Sequence, residues 1–131
     1  MSHRIDPAHH HTPDDPRVFV FGSNRRGIHG AGAALYARLR LGAVQGFSEG
    51  LMGDRCYALP TCSCPGVPLT IEQVNQHVQT FLAYADSSPT FRFFVSPVGC
   101  GLAGFFEHQI APLFHDAPPN CDLPPGWRSP P

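Results

Sequence analysis

Residues 17–34 read RVFVFGSNRRGIHGAGAA, and three successive patterns can be recognised in them. The run RVFVF is apolar and ends at Gly22, which is typical of a strand buried on both faces of a parallel sheet. A glycine-rich loop follows, and residues 33–41 are rich in good helix formers. Gly42 stands where helices commonly end in a left-handed residue. This stretch therefore predicts a strand, a loop and a helix.

A second strand followed by a glycine-rich loop is predicted in residues 90–105, TFRFFVSPVGCGLAGF. Residues 90–95 predict the clearest strand of the chain. In open α/β sheets, ligands bind beyond the carboxyl ends of the strands, where both loops would lie. Glycine lets backbone N–H groups approach phosphate oxygens, and a helix N-terminus adds a favourable dipole. The paired loops predict a diphosphate cradle, although they contain neither a P-loop nor a GxGxxG motif.

The rest of the chain adds further elements of an α/β pattern. Thr70 is placed to cap a helix, Gln73 completes a capping box, and apolar residues then recur at helical spacing. His77 lies beside that apolar stripe, and we expect it to have no chemical role. Strand–helix alternation predicts a small α/β fold, a mostly parallel sheet flanked by helices. Other elements are expected at residues 55–59 (strand), 106–115 (short helix) and 120–123 (strand).

The length of 131 residues suits one domain with a real core. Residues 1–16 contain three prolines and four histidines without apolar periodicity. This composition predicts a flexible N-terminal tail. The ligand-binding domain is expected over residues 17–127.

Composition excludes several classes of function. Nine Lys+Arg against ten Asp+Glu give a net charge of −1, which argues against duplex nucleic acid as a partner. No apolar run approaches the roughly 20 residues that span a bilayer, and the polar N-terminus lacks a secretory signal. The odd count of five cysteines favours reduced thiols and a cytoplasmic location. The pair Cys62 and Cys64 is a poor zinc signal, so we expect no metal and no other cofactor.

Both loops resemble the signature of the macrodomain family. Residues 20–24, VFGSN, followed by residues 27–34, GIHGAGAA, resemble the strand that ends in an asparagine before a glycine-rich helix start. Residues 96–105, SPVGCGLAGF, resemble the second family loop, and residues 57–60, YALP, the short strand between them. The domain is also similar to a group of short macro-like proteins of phages and bacteria. The resemblance implies a small three-layer macrodomain-like fold that binds ADP-ribose or a related NAD-derived nucleotide.

The resemblance also implies a set of ligand-binding residues. Macrodomains hold the adenine amino group with a carboxylate early in the domain. The chain before Asn24 is short here, and the candidates Asp14 and Asp15 both lie in the expected tail. The implied contacts are Asn24 with the distal ribose; Gly30, Ala31 and Gly32 on one side of the phosphates; Gly99, Cys100, Gly101, Leu102 and Ala103 on the other; and Phe105 near the distal ribose.

Two residues are candidates for catalysis. Glu49 is the best acid near the loops, because a carboxylate beside a ribose could assist cleavage at the anomeric carbon. Its alternative role is to cap backbone N–H groups. His29 could donate to a ribose hydroxyl or phosphate, or it could simply be exposed. Cys100 lies in a phosphate-like nest that would lower the pKa of its thiol, although a small residue tolerated in a tight loop is the alternative.

Three functions follow as hypotheses. The first is an ADP-ribose module, either a reader or a hydrolase of ADP-ribose linkages. The second is a non-catalytic protein that sequesters a NAD-derived signalling nucleotide. The third is a structural or interaction protein that kept the fold without the ligand.

Overall fold

The computed structural model describes residues 9–128, which form a mixed α/β fold around a six-stranded sheet. Three helices and one short 3-10 turn, Ala111–Phe114, accompany the sheet. The helices are α1 (Gly32–Arg40), α2 (Ile71–Asp86) and α3 (Glu107–Ile110). The strands are β1 (Val18–Asn24), β2 (Gly50–Met52), β3 (Cys56–Cys64), β4 (Val67–Pro68), β5 (Phe93–Val95) and β6 (Cys121–Asp122).

The sheet is mostly parallel, which confirms the predicted α/β class with a mostly parallel sheet. Its order is β2-β3-β1-β5-β6, and β4 pairs with β3 off this path. β1 lies at the centre and pairs in parallel with both β3 and β5, and β6 continues the parallel arrangement beyond β5. Only β2 and β4 run antiparallel to their neighbour β3. The carboxyl ends of β1, β3 and β5 therefore meet at one edge.

Side chains that alternate along β1 enter two separate apolar clusters. Phe19 and Phe21 pack in a cluster with Ala34 and Ala37 of α1. Val18 and Val20 pack in a second, larger cluster that holds the buried residues of α2. Because successive strand side chains point to opposite faces, the two clusters lie on opposite faces of the sheet. Helices thus cover both faces, as the strand–helix alternation predicts.

The signals at the helix ends are confirmed. The Thr70 side chain accepts a hydrogen bond from the Gln73 backbone N–H at 3.2 Å, and the Gln73 side chain accepts from the Thr70 N–H at 2.9 Å. This capping box starts α2, whose apolar stripe is buried at Val74, Val78, Phe81, Leu82 and Ala85. Gly42 follows α1 with a φ of +81°, as its place in the sequence predicts.

Three strands differ in extent from the sequence prediction. β3 continues past the predicted end at residue 59 to Cys64, because Pro60 is accommodated where the register with β1 shifts. Residues 50–52, for which the sequence pattern predicts no strand, form the short β2. β5 begins at Phe93 rather than at residue 90.

None of the helices in residues 9–128 has the length and apolar character that a membrane span requires.

The structure differs from the expected flexible tail in residues 9–16. His11 is buried, and its ring packs against Phe19 and Phe94. Asp15 forms an ion pair with Arg17 at 2.6 Å. The segment is held by histidine rings on aromatic side chains, a contact that has no periodicity for a sequence pattern to reveal. The other half of the expected tail, residues 1–8, lies outside the described residues.

Candidate functional site

A cavity of about 470 Å³ lies at the edge where the parallel strands end. This volume falls within the range of about 300–1,000 Å³ that small-molecule sites occupy. Its walls come from both glycine-rich loops, from the end of β3 and from the β3–β4 hairpin. The lining residues are Gly22, Ser23, Asn24, Ile28, Gly30, Ala31, Gly32, Ala33, Ala34, Thr61, Cys62, Pro65, Gly66, Ser96, Pro97, Val98, Gly99, Cys100, Gly101, Leu102 and Ala103.

The side chain of Asn24 organises the first loop. Its Oδ1 accepts hydrogen bonds from the backbone N–H groups of Arg26 and Ile28, at 3.2 and 3.1 Å. Its Nδ2 donates to the Ile28 carbonyl at 2.8 Å. The residue is buried and lines the cavity. Asn24 therefore fixes the shape of the loop, and only part of its amide remains for the predicted ribose contact.

The N-terminus of α1 opens onto the cavity without a capping side chain. The N-cap residue is Ala31, whose backbone is extended, and the first turn contains no acidic residue. The first N–H groups of a helix have no partner within the helix. Among residues 9–128, none of the N–H groups of Gly30, Ala31 and Gly32 has an acceptor. This end of α1 therefore presents unpaired donors and the positive end of the helix dipole to the cavity.

The second loop presents a further set of unpaired donors. Four of its N–H groups close turns within the loop, including Cys100 to Pro97 and Phe105 to Gly99. In contrast, the N–H groups of Gly101, Leu102 and Ala103 have no acceptor in residues 9–128. Both loops thus line one cavity and carry backbone N–H groups that have no acceptor in the described residues, a common feature of anion sites.

No Asp, Glu, Lys, Arg or His side chain lines the cavity in the described part of the chain. The polar groups at its wall are hydroxyls, two thiols, the Asn24 amide and backbone atoms. Nor do the residues described contain a group of three His, Cys, Asp or Glu side chains placed to hold a metal ion. A negative charge in the cavity would therefore be neutralised by backbone N–H groups and the helix dipole.

Nearly all predicted ligand-binding residues line this cavity. They are Asn24, Gly30, Ala31, Gly32, Gly99, Cys100, Gly101, Leu102 and Ala103. Phe105 lies behind the wall instead: a Cβ added at Gly99 would come within 3.3 Å of the Phe105 ring and of Ile110. Phe105 thus supports the second loop from its inner side.

His29 does not reach the cavity. Its side chain is 0% exposed and meets the edge of Phe21, with ring centroids 5.4 Å apart. Nε2 lies 3.0 Å from the Phe47 carbonyl, which can only accept, so Nε2 carries the proton. Nδ1 has no hydrogen-bond partner in the described residues. The predicted catalytic role finds no support in this position, where the ring ties the first loop to the segment around Phe47.

Glu49 also lies outside the cavity wall. Its Oε2 is 2.8 Å from Nδ1 of His77, and Nε2 of His77 is 3.4 Å from the guanidinium of Arg25. His77, for which we expected no chemical role, therefore joins α2 to the segment before β2. Beside Glu49, the carbonyl of Ser48 accepts from the Ser23 hydroxyl at 2.5 Å. Glu49 belongs to the support of the first loop and does not face the ligand space.

The environment of Cys100 is the reverse of the one that would activate its thiol as a nucleophile. Burial raises the pKa of the Cys100 thiol to about 11, and nearby Glu107 adds to the effect. The thiol lies 3.6 Å from the Val98 carbonyl. Exclusion from water outweighs the loop dipoles here, so Cys100 remains a neutral thiol at physiological pH and is not an activated nucleophile.

Sequence reasoning missed the wall formed by the end of β3. Thr61, Cys62, Pro65 and Gly66 line the cavity, and Leu69 closes the hairpin with its N–H bonded to the Thr61 carbonyl at 3.0 Å. The proline at residue 60 favoured a strand end at that point. No other signal in the sequence shows that β3 reaches the ligand edge.

The cavity, its unpaired donors and the two glycine-rich loops thus coincide at one edge of the sheet. No family model, curated protein or solved structure matches this chain. The resemblance of its loops to macrodomains therefore stays a sequence-based expectation.

Proposed function

We propose that this protein binds ADP-ribose or a closely related NAD-derived nucleotide in the cavity between its two glycine-rich loops. The observation that carries the proposal is the set of unpaired N–H groups on both loops, Gly30 to Gly32 on one side and Gly101 to Ala103 on the other. Two sets of donors that line one cavity suit two linked phosphates better than a single phosphate. The nucleoside part of the proposal rests on the resemblance of the loops to macrodomains.

The overall arrangement is consistent with a compact macrodomain-like fold of three layers. A mostly parallel sheet carries helices on both faces, and the loops of interest lie at the carboxyl edge. We also propose a cytoplasmic location, because all five cysteines are free thiols, as expected in a reducing compartment.

Binding without turnover is the activity that the cavity supports best. Hydrolysis of an ADP-ribose linkage needs a group that activates water or protonates the leaving group. Neither Glu49 nor His29 lines the cavity, and both make hydrogen bonds to other parts of the scaffold. We therefore place the protein among readers or sequestering proteins for a NAD-derived nucleotide, rather than among hydrolases.

The test is isothermal titration calorimetry with ADP-ribose, ADP and adenosine on the purified chain. We expect ADP-ribose and ADP to bind and adenosine to show no heat, because the recognised groups are phosphates. A saturating ligand at about 100 times its Kd should also raise the free energy of unfolding by roughly 2.7 kcal/mol. Equal affinity for adenosine and ADP-ribose, or no binding of either, would overturn the proposal.

A further inference from the structure

Residues 9–17, here called the N-terminal strap, lie across the sheet on the face that carries Phe94. The imidazole of His9 stacks on the Phe94 ring, with centroids 4.1 Å apart and planes 16° from parallel. His9 Nε2 donates to the Val95 carbonyl at 2.8 Å. The Arg17 guanidinium lies 4.7 Å from the centroid of the same Phe94 ring. The strap therefore covers aromatic surface that the helices leave open.

His11 is the most buried polar side chain of the strap. Its Nε2 lies 3.1 Å from the Arg17 carbonyl, which can only accept, so Nε2 carries a proton. Its Nδ1 lies 2.8 Å from the hydroxyl of Tyr36 on α1. Burial raises the pKa of Tyr36, so this hydroxyl keeps its proton and donates to Nδ1. The neutral imidazole can therefore donate to the Arg17 carbonyl and accept from the Tyr36 hydroxyl at the same time.

A second ring proton disturbs this arrangement. The Nδ1–H would meet the Tyr36 O–H, so the hydroxyl must turn away from the ring. The cation would also lie against Phe19 and Phe94, whose centroids are 4.8 and 5.2 Å away, in a position with little access to water. The free energy of protonating His11 is therefore less favourable in the closed strap than in water.

Four other groups face His11 from the surrounding elements. Burial is the main cause that lowers the pKa of His11, and the cations of Arg17 and Arg55 act in the same direction. The Arg17 carbonyl and the Asp15 carboxylate oppose them without reversing the direction. Hydrogen bonds from Arg17 lower the pKa of Asp15 to about 2, so its charge is constant near neutral pH. Tyr36 is uncharged over the same range.

We propose that the strap is an acid-sensitive latch, which lies on the sheet while His11 is neutral and is released from Phe19 and Phe94 when His11 gains a proton. The released strap takes up a proton more readily than the closed strap, so a fall in pH favours release. The effect begins as the pH falls below the ordinary histidine value of 6.5 and grows until the pKa in the closed state is reached. One proton changes the closing equilibrium by at most about tenfold per pH unit.

Amide hydrogen exchange measured by NMR tests the latch. The reporters are the N–H groups of Asp15 and Arg17, which are bonded to the Thr12 carbonyl at 3.0 Å and to Asp15 Oδ1 at 2.9 Å. After correction for intrinsic exchange, protection of both should be constant above about pH 7 and fall as the pH approaches 5. Protection within α2 should not change, which separates strap release from global unfolding.

Two substitutions make the test specific. His11→Phe keeps an aromatic ring in the buried position but cannot be charged, so strap protection should no longer depend on pH. His108→Gln is the matched control, because His108 is exposed and stacks on Phe106, and it should keep the wild-type profile. If the strap of His11→Phe does not close, the wild-type protein provides the test instead. The NMR chemical shifts of the His11 ring must then titrate below pH 6.5, together with those of the strap amides. Wild-type protection that is independent of pH, or a strap already open at neutral pH, would overturn the proposal.

Discussion

The contact between the first loop and the segment around Gly46 offers a sharp test of how the ligand edge is built. Gly27 has a φ of +68°, a left-handed conformation that residues with a Cβ rarely adopt. A Cβ at this position would lie 2.7 Å from the Phe47 backbone nitrogen and 2.8 Å from Gly46 Cα. The Gly46 N–H also donates to the Gly27 carbonyl at 2.8 Å. Gly27→Ala must therefore push the backbone at Gly46 and Phe47 away from the first loop.

The expected cost has three parts. The left-handed conformation costs about 1–2 kcal/mol once a Cβ is present. Overpacking against backbone adds about 1–3 kcal/mol. Loss of the backbone hydrogen bond adds about 1 kcal/mol. We expect Gly27→Ala to lower the free energy of unfolding by about 3–6 kcal/mol.

Urea denaturation measures this loss, and the chain offers a matched control. Gly42 has a φ of +81°, but a Cβ there would meet no atom within 4 Å. Gly42→Ala should therefore cost only the strain of about 1–2 kcal/mol. If Gly27→Ala is no less stable than Gly42→Ala, the close contact between the two segments is not present in solution.

Three further predictions concern the helix start, the first loop and the buried thiol. Thr70→Ala removes a capping-box acceptor and should lower the free energy of unfolding by about 1 kcal/mol in thermal denaturation. Asn24→Ala should cost about 1–3 kcal/mol in stability, by leaving backbone groups of the first loop unpaired, and should weaken ADP-ribose binding in calorimetry. At pH 8, the half-exposed Cys64 should react with a maleimide before Cys100, as followed by peptide mass spectrometry, because burial keeps Cys100 protonated. Faster modification of Cys100 would contradict the raised pKa of its thiol.

The predictions that depend on a few neighbouring residues agree best with the structure. The capping box at Thr70 and the left-handed Gly42 depend on a few neighbouring residues, and both are confirmed. The apolar run before Gly22 predicts the central strand, and the edge of a parallel sheet then brings the two glycine-rich loops together. Neighbouring residues and one topological rule sufficed for this part of the fold.

Contacts between distant residues could not be predicted in the same way. Glu49 is paired with His77, which is 28 positions away, and no local pattern links them. The direction of the His29 side chain depends on the Phe47 carbonyl. His11 is buried by aromatic rings from the sheet, although its neighbours in the sequence are polar. In each case, a tertiary contact determines the role of the side chain.

Gly101→Val tests the central claim most directly. Gly101 lines the cavity, its φ lies outside the left-handed region, and a Cβ there would meet no atom within 4 Å. A valine should therefore fill ligand space while changing the stability by no more than about 0.5 kcal/mol. Ala83→Val, on an exposed position of α2 outside the lining of the cavity, is the control.

Calorimetry with ADP-ribose should show that wild type and Ala83→Val bind alike, while the affinity of Gly101→Val falls at least about tenfold, or 1.4 kcal/mol. A folded Gly101→Val protein that binds ADP-ribose as tightly as wild type would contradict the account.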